Sequence, residues 1–175
     1  GFDSLLPGFT TERTCHMLEG VWKTIDGQKV TDIVGMVKGL IAEGEREIHI
    51  GTDSQQARKE TAFVTILVVV NPGKGARAFY LQDTTPRIKS LRERLMKEVW
   101  LSVNLGLELN AMVPETTGLT VHVDANPNLK FRSSDHVKEL AAMVVSQGFK
   151  TLLKPDSWAA SHAADHVVKH KVLRM

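Results

Sequence analysis

Asp53, Glu98, Asp124 and Asp165 are the residues of this sequence whose types and placement suit chemistry best. Three or four carboxylates that converge without basic partners repel one another and cannot all stay ionised unaided. A divalent cation resolves that conflict, and an all-oxygen donor set suits Mg²⁺ or Mn²⁺. Two such ions about 4 Å apart can clamp a phosphodiester, one activating water and the other stabilising the leaving oxygen. Each acid alone has an ordinary structural reading as a turn, cap or surface residue, and Glu98 can simply pair with Arg94 at i,i+4. The argument for a site rests on the joint placement of all four.

That placement depends on the elements that carry them. Glu47–Asp53 alternates as a strand, with Ile48 and Ile50 on one side and His49, Gly51 and Asp53 on the other. Ser54–Thr61 reads as a polar turn, Ala62–Val70 as a buried strand rich in β-branched residues, and Asn71–Gly75 as a strong turn before a third strand over Ala76–Gln82. Pro86 suits the first turn of a long helix from about Arg87 to Asn110, on which Glu98 borders the apolar stripe and Glu93 falls outside it. Leu119–Asp124 alternates as a fourth strand ending in the second Asp. A helix follows over about 135–146, then a fifth strand over Phe149–Lys154 and an alanine-rich helix from Pro155-Asp156 to about Lys171 that carries Asp165.

The order β-β-β-α-β-α-β-α predicts an α/β domain with a mixed five-stranded sheet and helices on both faces. Right-handed crossovers make the fourth and fifth strands parallel to the first. If the first and fourth are neighbours, Asp53 and Asp124 leave the sheet at the same end and on the same face. Before this domain (46–175), residues 1–45 read as a helical extension, with a short helix over Glu12–Val21 and a clearer one over 30–43.

Other residues near the acids are weaker candidates. Thr52 and Ser54 flank Asp53 and suit a phosphate contact or a turn cap equally. Asn126, beside an Asn-Pro turn, is a candidate substrate contact but foremost a turn former. Lys130, Arg132 and Lys154, with Arg58 and Lys59, fall in loops toward the acidic edge and suit a nucleic-acid backbone, although charged loops are mostly just solvated. Asp156 reads as an N-cap before a ligand. His162 and His166 flank Asp165 and are auxiliary candidates for proton transfer or product release. His49 and His122 share the polar parity of the Asp residues and are expected to be satisfied buried histidines. Trp22, Trp100 and Trp158 are weighed as base-stacking platforms, with Trp158 read first as packing.

Composition sets bounds. The 175 residues carry 22 Lys and Arg against 20 Asp and Glu, for a formal net charge of +2, so any basic surface must come from local clustering. Cys15 is the single cysteine, which rules out an intrachain disulfide and a thiolate zinc site. No apolar run approaches the roughly 20 residues of a membrane helix. No basic segment followed by an apolar stretch opens the chain, so a cytoplasmic protein with no membrane partner is expected.

The stretches Ile48–Gln55 (IHIGTDSQ), Pro86–Ser102 (PRIKSLRERLMKEVWLS), Val121–Asn126 (VHVDAN) and Lys154–Asp165 (KPDSWAASHAAD) resemble the YkuK-type ribonuclease H-like family of bacteria. The resemblance covers roughly residues 45–170. It implies the ribonuclease H-like fold and divalent-metal-dependent cleavage of phosphodiester bonds in RNA, an RNA–DNA hybrid or DNA. It further implies that Asp53 bridges two Mg²⁺ or Mn²⁺ ions, that Asp165 holds the water-activating ion, and that Glu98 and Asp124 hold the other. Members of the superfamily carry their Glu early in the helix, whereas Glu98 is expected about three turns in, which keeps Glu93 as the alternative. The competing function is a nucleic-acid-binding or scaffolding module that keeps the fold without turnover. An actin-like nucleotide domain is disfavoured, because the chain is too short for two lobes and shows no paired Gly-rich phosphate loops.

Overall fold

A computed structural model describes residues 16–157 apart from 45 and 129. Within them one seven-stranded sheet is built from β1 (Trp22–Thr24), β2 (Lys29–Val30), β3 (Glu47–Gln56), β4 (Glu60–Asn71), β5 (Gly75–Pro86), β6 (Gly118–Val123) and β7 (Lys150–Leu153). The spatial order is β2-β1-β5-β4-β3-β6-β7. Among the described residues three α-helices accompany it: α1 (Ile33–Ala42), α2 (Leu91–Asn110) and α3 (Val137–Val145).

The strands β3, β4 and β5 form the expected antiparallel meander, and β6 and β7 run parallel to β3. The β4 strand alternates between two cores. Phe63, Leu67 and Val69 join a large apolar cluster with Ile48, Ile50, Val121 and residues of α1, α2 and α3, whereas Ala62, Val64, Ile66 and Val68 join Tyr80 in a second cluster. Burial on both faces is what a run of β-branched residues at the centre of a sheet requires. The helix expected over 155–171 lies outside the described residues.

Several sequence expectations are corrected. The sheet has two strands more than five, because residues 22–30 form β1 and β2 at its edge, β1 pairing with β5 through Trp22↔Leu81. The described part of the N-terminal segment is therefore not only helical. Its helical content there is a single 3₁₀ turn at Met17–Glu19 and α1, and Trp22, Ile33 and Val37 are buried in the same cluster as the sheet. Strands of two and three residues are too short to show alternation.

The polar segment 54–61 is mostly strand, since β3 runs to Gln56 and β4 begins at Glu60. The long helix starts at Leu91 rather than Arg87, because Pro86 still belongs to β5, opposite Glu60. Ser90 is its N-cap and accepts a hydrogen bond from the Glu93 N–H at 3.2 Å. Glu98 consequently lies about two turns into α2, not three.

Candidate metal centre

The β3–β6 ladder sets the geometry. Its last pair is Gly51↔His122, while β3 stays paired with β4 to Gln56. Asp53 and Asp124 each lie two residues past that pair, so they stand at matching positions just beyond the last rung. Both alternate out of phase with the core residues Ile50 and Val121, yet both border the same cleft as Leu91, Arg94, Leu95 and Glu98 of α2. Glu98 comes from α2 itself. The three can meet because no rung closes the gap between the strands at that level. The carboxyl ends of parallel strands where neighbours diverge are the usual position of ligand crevices in α/β sheets.

One carboxylate oxygen from each of Asp53, Glu98 and Asp124 lies within 4.8 Å of those of the other two. Glu98 is only 5% exposed. Its Oε1 accepts from the Ser54 hydroxyl at 3.2 Å, and its buried Oε2 has no hydrogen-bond partner. The Ser54 N–H donates to Asp53 Oδ1 at 2.9 Å, so one serine steadies two of the three acids. Burial first, then the negative charges of Asp53 and Asp124, hold the Glu98 pKa well above the usual carboxylate value. Arg94, one turn earlier, pulls the other way, yet the i,i+4 salt bridge weighed from sequence does not form. An unsatisfied buried carboxylate oxygen facing two more carboxylates fits a hard cation with oxygen ligands, and these three residues would hold it.

Lys154 supplies the positive charge already present. Its Nζ lies 2.5 Å from Asp124 Oδ1. Burial opposes the ammonium charge, but the hydrogen bond to Asp124 and the charges of Asp124, Asp53 and Glu98 outweigh it and raise the lysine pKa. The acids open onto a cleft of about 490 Å³ whose wall includes Arg94, Phe131 and Arg132.

The remaining candidates separate clearly. Ser54 is at the centre. Thr52 is buried and bonds Thr65 and Ser102 through its hydroxyl, at 2.9 and 2.8 Å, so it supports α2 on the sheet and does not face the cleft. Arg132 lines the cleft and Lys130 is exposed beside it. The Asn126 side chain accepts from the Asn128 N–H at 2.9 Å and so holds the loop after Asp124. Glu93 and Asp156 are exposed and outside the acidic group. Asp165, His162, His166 and Trp158 lie outside the described residues.

Trp22 and Trp100 are buried, which corrects their reading as stacking platforms. His49 and His122 are buried partners, Nδ1 to Nε2 at 2.8 Å, as the strand parity predicts. Burial first, then the neighbouring His49, lowers the His122 pKa to about 4. Two features escaped the sequence reading: the Lys154–Asp124 ion pair and Phe131, an exposed aromatic 44% accessible at the cleft with the Lys130 ammonium 5.1 Å from its ring. An aromatic between two basic residues in a loop was the signal for the second.

Residues 28–169 match the family model described as Ribonuclease H-like, so the chain belongs to the ribonuclease H-like family. Within it the chain is of the YkuK type. It is 29% identical over 154 residues to the uncharacterized protein YkuK of Bacillus subtilis (strain 168), covering 79% of this chain and 90% of that protein. Among solved structures, it is similar to the crystal structure of RNase H1 from the halophilic archaeon Halobacterium salinarum NRC-1, at 12% identity, 70% coverage of this chain, 98% of that chain and a TM-score of 0.39. No helix among the described residues is long and apolar enough to cross a membrane.

Proposed function

We propose that this protein is a divalent-metal-dependent nuclease that hydrolyses phosphodiester bonds in RNA, an RNA–DNA hybrid or DNA. The observation that carries the reading is the buried, unpartnered Glu98 Oε2 within a group of three carboxylates. Such an arrangement is costly to keep without a cation. Asp53, Glu98 and Asp124 are the proposed ligands of Mg²⁺ or Mn²⁺, with Asp165 the further candidate from the family resemblance. The bound ion would supply Lewis-acid stabilisation of charge on phosphate oxygens. Ser54 orients Asp53 and Glu98. Arg94 and Arg132 in the cleft wall, with Lys130 beside it, would neutralise a nucleic-acid backbone, and Phe131 would stack on a base. A cytoplasmic location fits this reading.

The test is cleavage of labelled RNA, hybrid and DNA with Mg²⁺ or Mn²⁺, by the wild type and by Asp53→Asn and Asp124→Asn. Metal-dependent cleavage lost in both variants supports the proposal; a folded wild type inert on all three substrates with both metals removes it. The ion pair between Lys154 and Asp124 favours a second reading, a nucleic-acid-binding module without turnover. Salt-sensitive binding with no metal at the acids would establish that one.

A further inference from the structure

Lys154 follows β7 directly. Its N–H donates to the Ala125 carbonyl at 3.2 Å, so hydrogen bonding between the sixth and seventh strands continues past the last ladder pair, Val123↔Leu153. The backbone thereby delivers the lysine alongside Asp124. The ammonium then contacts Asp124 Oδ1 at 2.5 Å, a charge-assisted contact that occupies the oxygen. Two strands of the sheet, not a mobile surface arm, set this pairing.

The charges of the described group also balance in a particular way. Asp53, Glu98 and Asp124 carry up to three negative charges, and Lys154 carries one positive charge. A single divalent ion completes neutrality, whereas two would leave an excess of two positive charges. Glu98 Oε2 and Asp124 Oδ1 are the buried oxygens of the acidic group without a hydrogen-bond partner; the Lys154 ammonium lies against the second, which leaves Glu98 Oε2 to face an ion.

We propose that Lys154 is a built-in cation that takes the place of one of the two ions a carboxylate centre of this kind can hold, so that the centre binds one divalent ion. The inference rests on the reading of the acids as a metal centre, but not on their cutting anything. An ammonium is a compact, strongly hydrated point charge with three donors, and it can face the oxygens that an ion would otherwise bridge. A chelator cannot remove it.

Titration of the full chain with Mn²⁺ tests this, read as bound equivalents by calorimetry and as the spin signal of the bound ion. The wild type is expected to take one equivalent with the spectrum of an isolated ion. Lys154→Met, which keeps the length and loses the charge, is expected to take two equivalents and show a spin-coupled pair. Lys154→Arg is expected to stay at one. Two equivalents in the wild type overturn the proposal, as does none; so does a folded Lys154→Met protein that still takes one. If the Met variant fails to fold, the wild-type and Lys154→Arg titrations still decide between one ion and two. A wild type that binds one Mn²⁺ and cleaves no nucleic acid removes the nuclease reading and leaves this inference standing.

Discussion

Asp53 and Asp124 occupy matching positions on parallel neighbours, each two residues beyond the last paired residues, Gly51 and His122. The relationship makes their proximity a consequence of strand register. Shifting either strand by one residue would turn its Asp toward the core. The centre is thus as stable as the β3–β6 pairing, and its charge is the part that costs stability.

Glu98→Gln is therefore expected to stabilise the metal-free protein. Burial and the two Asp charges raise the folded-state pKa of Glu98 above its unfolded value. A group of this sign favours the fold below its unfolded pKa, and that contribution is lost as pH rises through the folded pKa. The wild type in chelator should lose stability over that rise, while the glutamine variant should not, so the gap in Tm widens with pH. Each kcal/mol relieved is worth about 2–4 °C in a chain of this size. Added Mn²⁺ should reverse the order, raising the wild-type Tm and leaving the variant unmoved. Thermal melts at several pH values with and without metal check it, and a lower Tm for the variant in chelator would contradict it.

The His49–His122 pair gives a slope of the opposite sign. The His122 pKa falls from 6.5 to about 4 on folding, so the neutral imidazole is the form the fold retains. A depressed histidine pKa contributes stability that is complete above pH 6.5 and is lost as pH falls toward 4. The loss by pH 4 is at most on the order of 3 kcal/mol, and smaller to the extent that solvent screens the ring. Because Glu98 titrates with the other sign, the comparison must be made against a variant: subtracting the His122→Asn stability curve from the wild-type curve should leave a term that falls between pH 6.5 and 4. A flat difference would mean that His122 accepts a proton in the folded protein as easily as in the unfolded chain.

Packing around α2 admits a prediction made at a distance from the acids. A Cβ at Gly106 would lie 3.1 Å from two ring carbons of Phe149 and 3.4 Å from Leu119 Cδ2. Gly106→Val adds two methyl groups beyond that point and should cost about 1–3 kcal/mol. Since α2 also carries Glu98, metal affinity should fall with it. Denaturant unfolding with an unchanged m-value and a lower midpoint is the expected result.

How much of this was legible beforehand depended on the length of the signal. Alternation over 47–53 and 119–124 located Asp53 and Asp124 and fixed their parity, because each strand shows several residues of the pattern. Crossover handedness gave β6 the same direction as β3, but their adjacency was only a condition of the sequence argument and is supplied by the structure. Pro86 misled because the residue tolerated in a first helical turn is also tolerated at a strand end; the Ser90 cap and Glu93 were the better marker. β1 and β2 gave no usable period. Lys154 was visible as a basic residue near the acids, but its pairing with Asp124 depends on the β6–β7 register, and four residues of β7 with mixed burial do not define a register in sequence.

Phe131 and Arg132 test the cleft as a nucleic-acid groove. If a base stacks on the exposed ring, Phe131→Ala should weaken binding of a single-stranded oligonucleotide by about tenfold, within the roughly 1–3 kcal/mol that base–aromatic stacking contributes, while Phe131→Trp should retain affinity and report binding through fluorescence quenching. Arg132→Ala should behave differently. It removes a backbone contact, so affinity should fall for every sequence alike and the slope of log K against log salt should shrink by about one. Measuring both in chelator separates binding from any cleavage. Equal affinities and equal salt slopes for the wild type and both alanine variants would place the bound strand elsewhere on the surface, because neither the ring nor the guanidinium lining the cleft would then touch it.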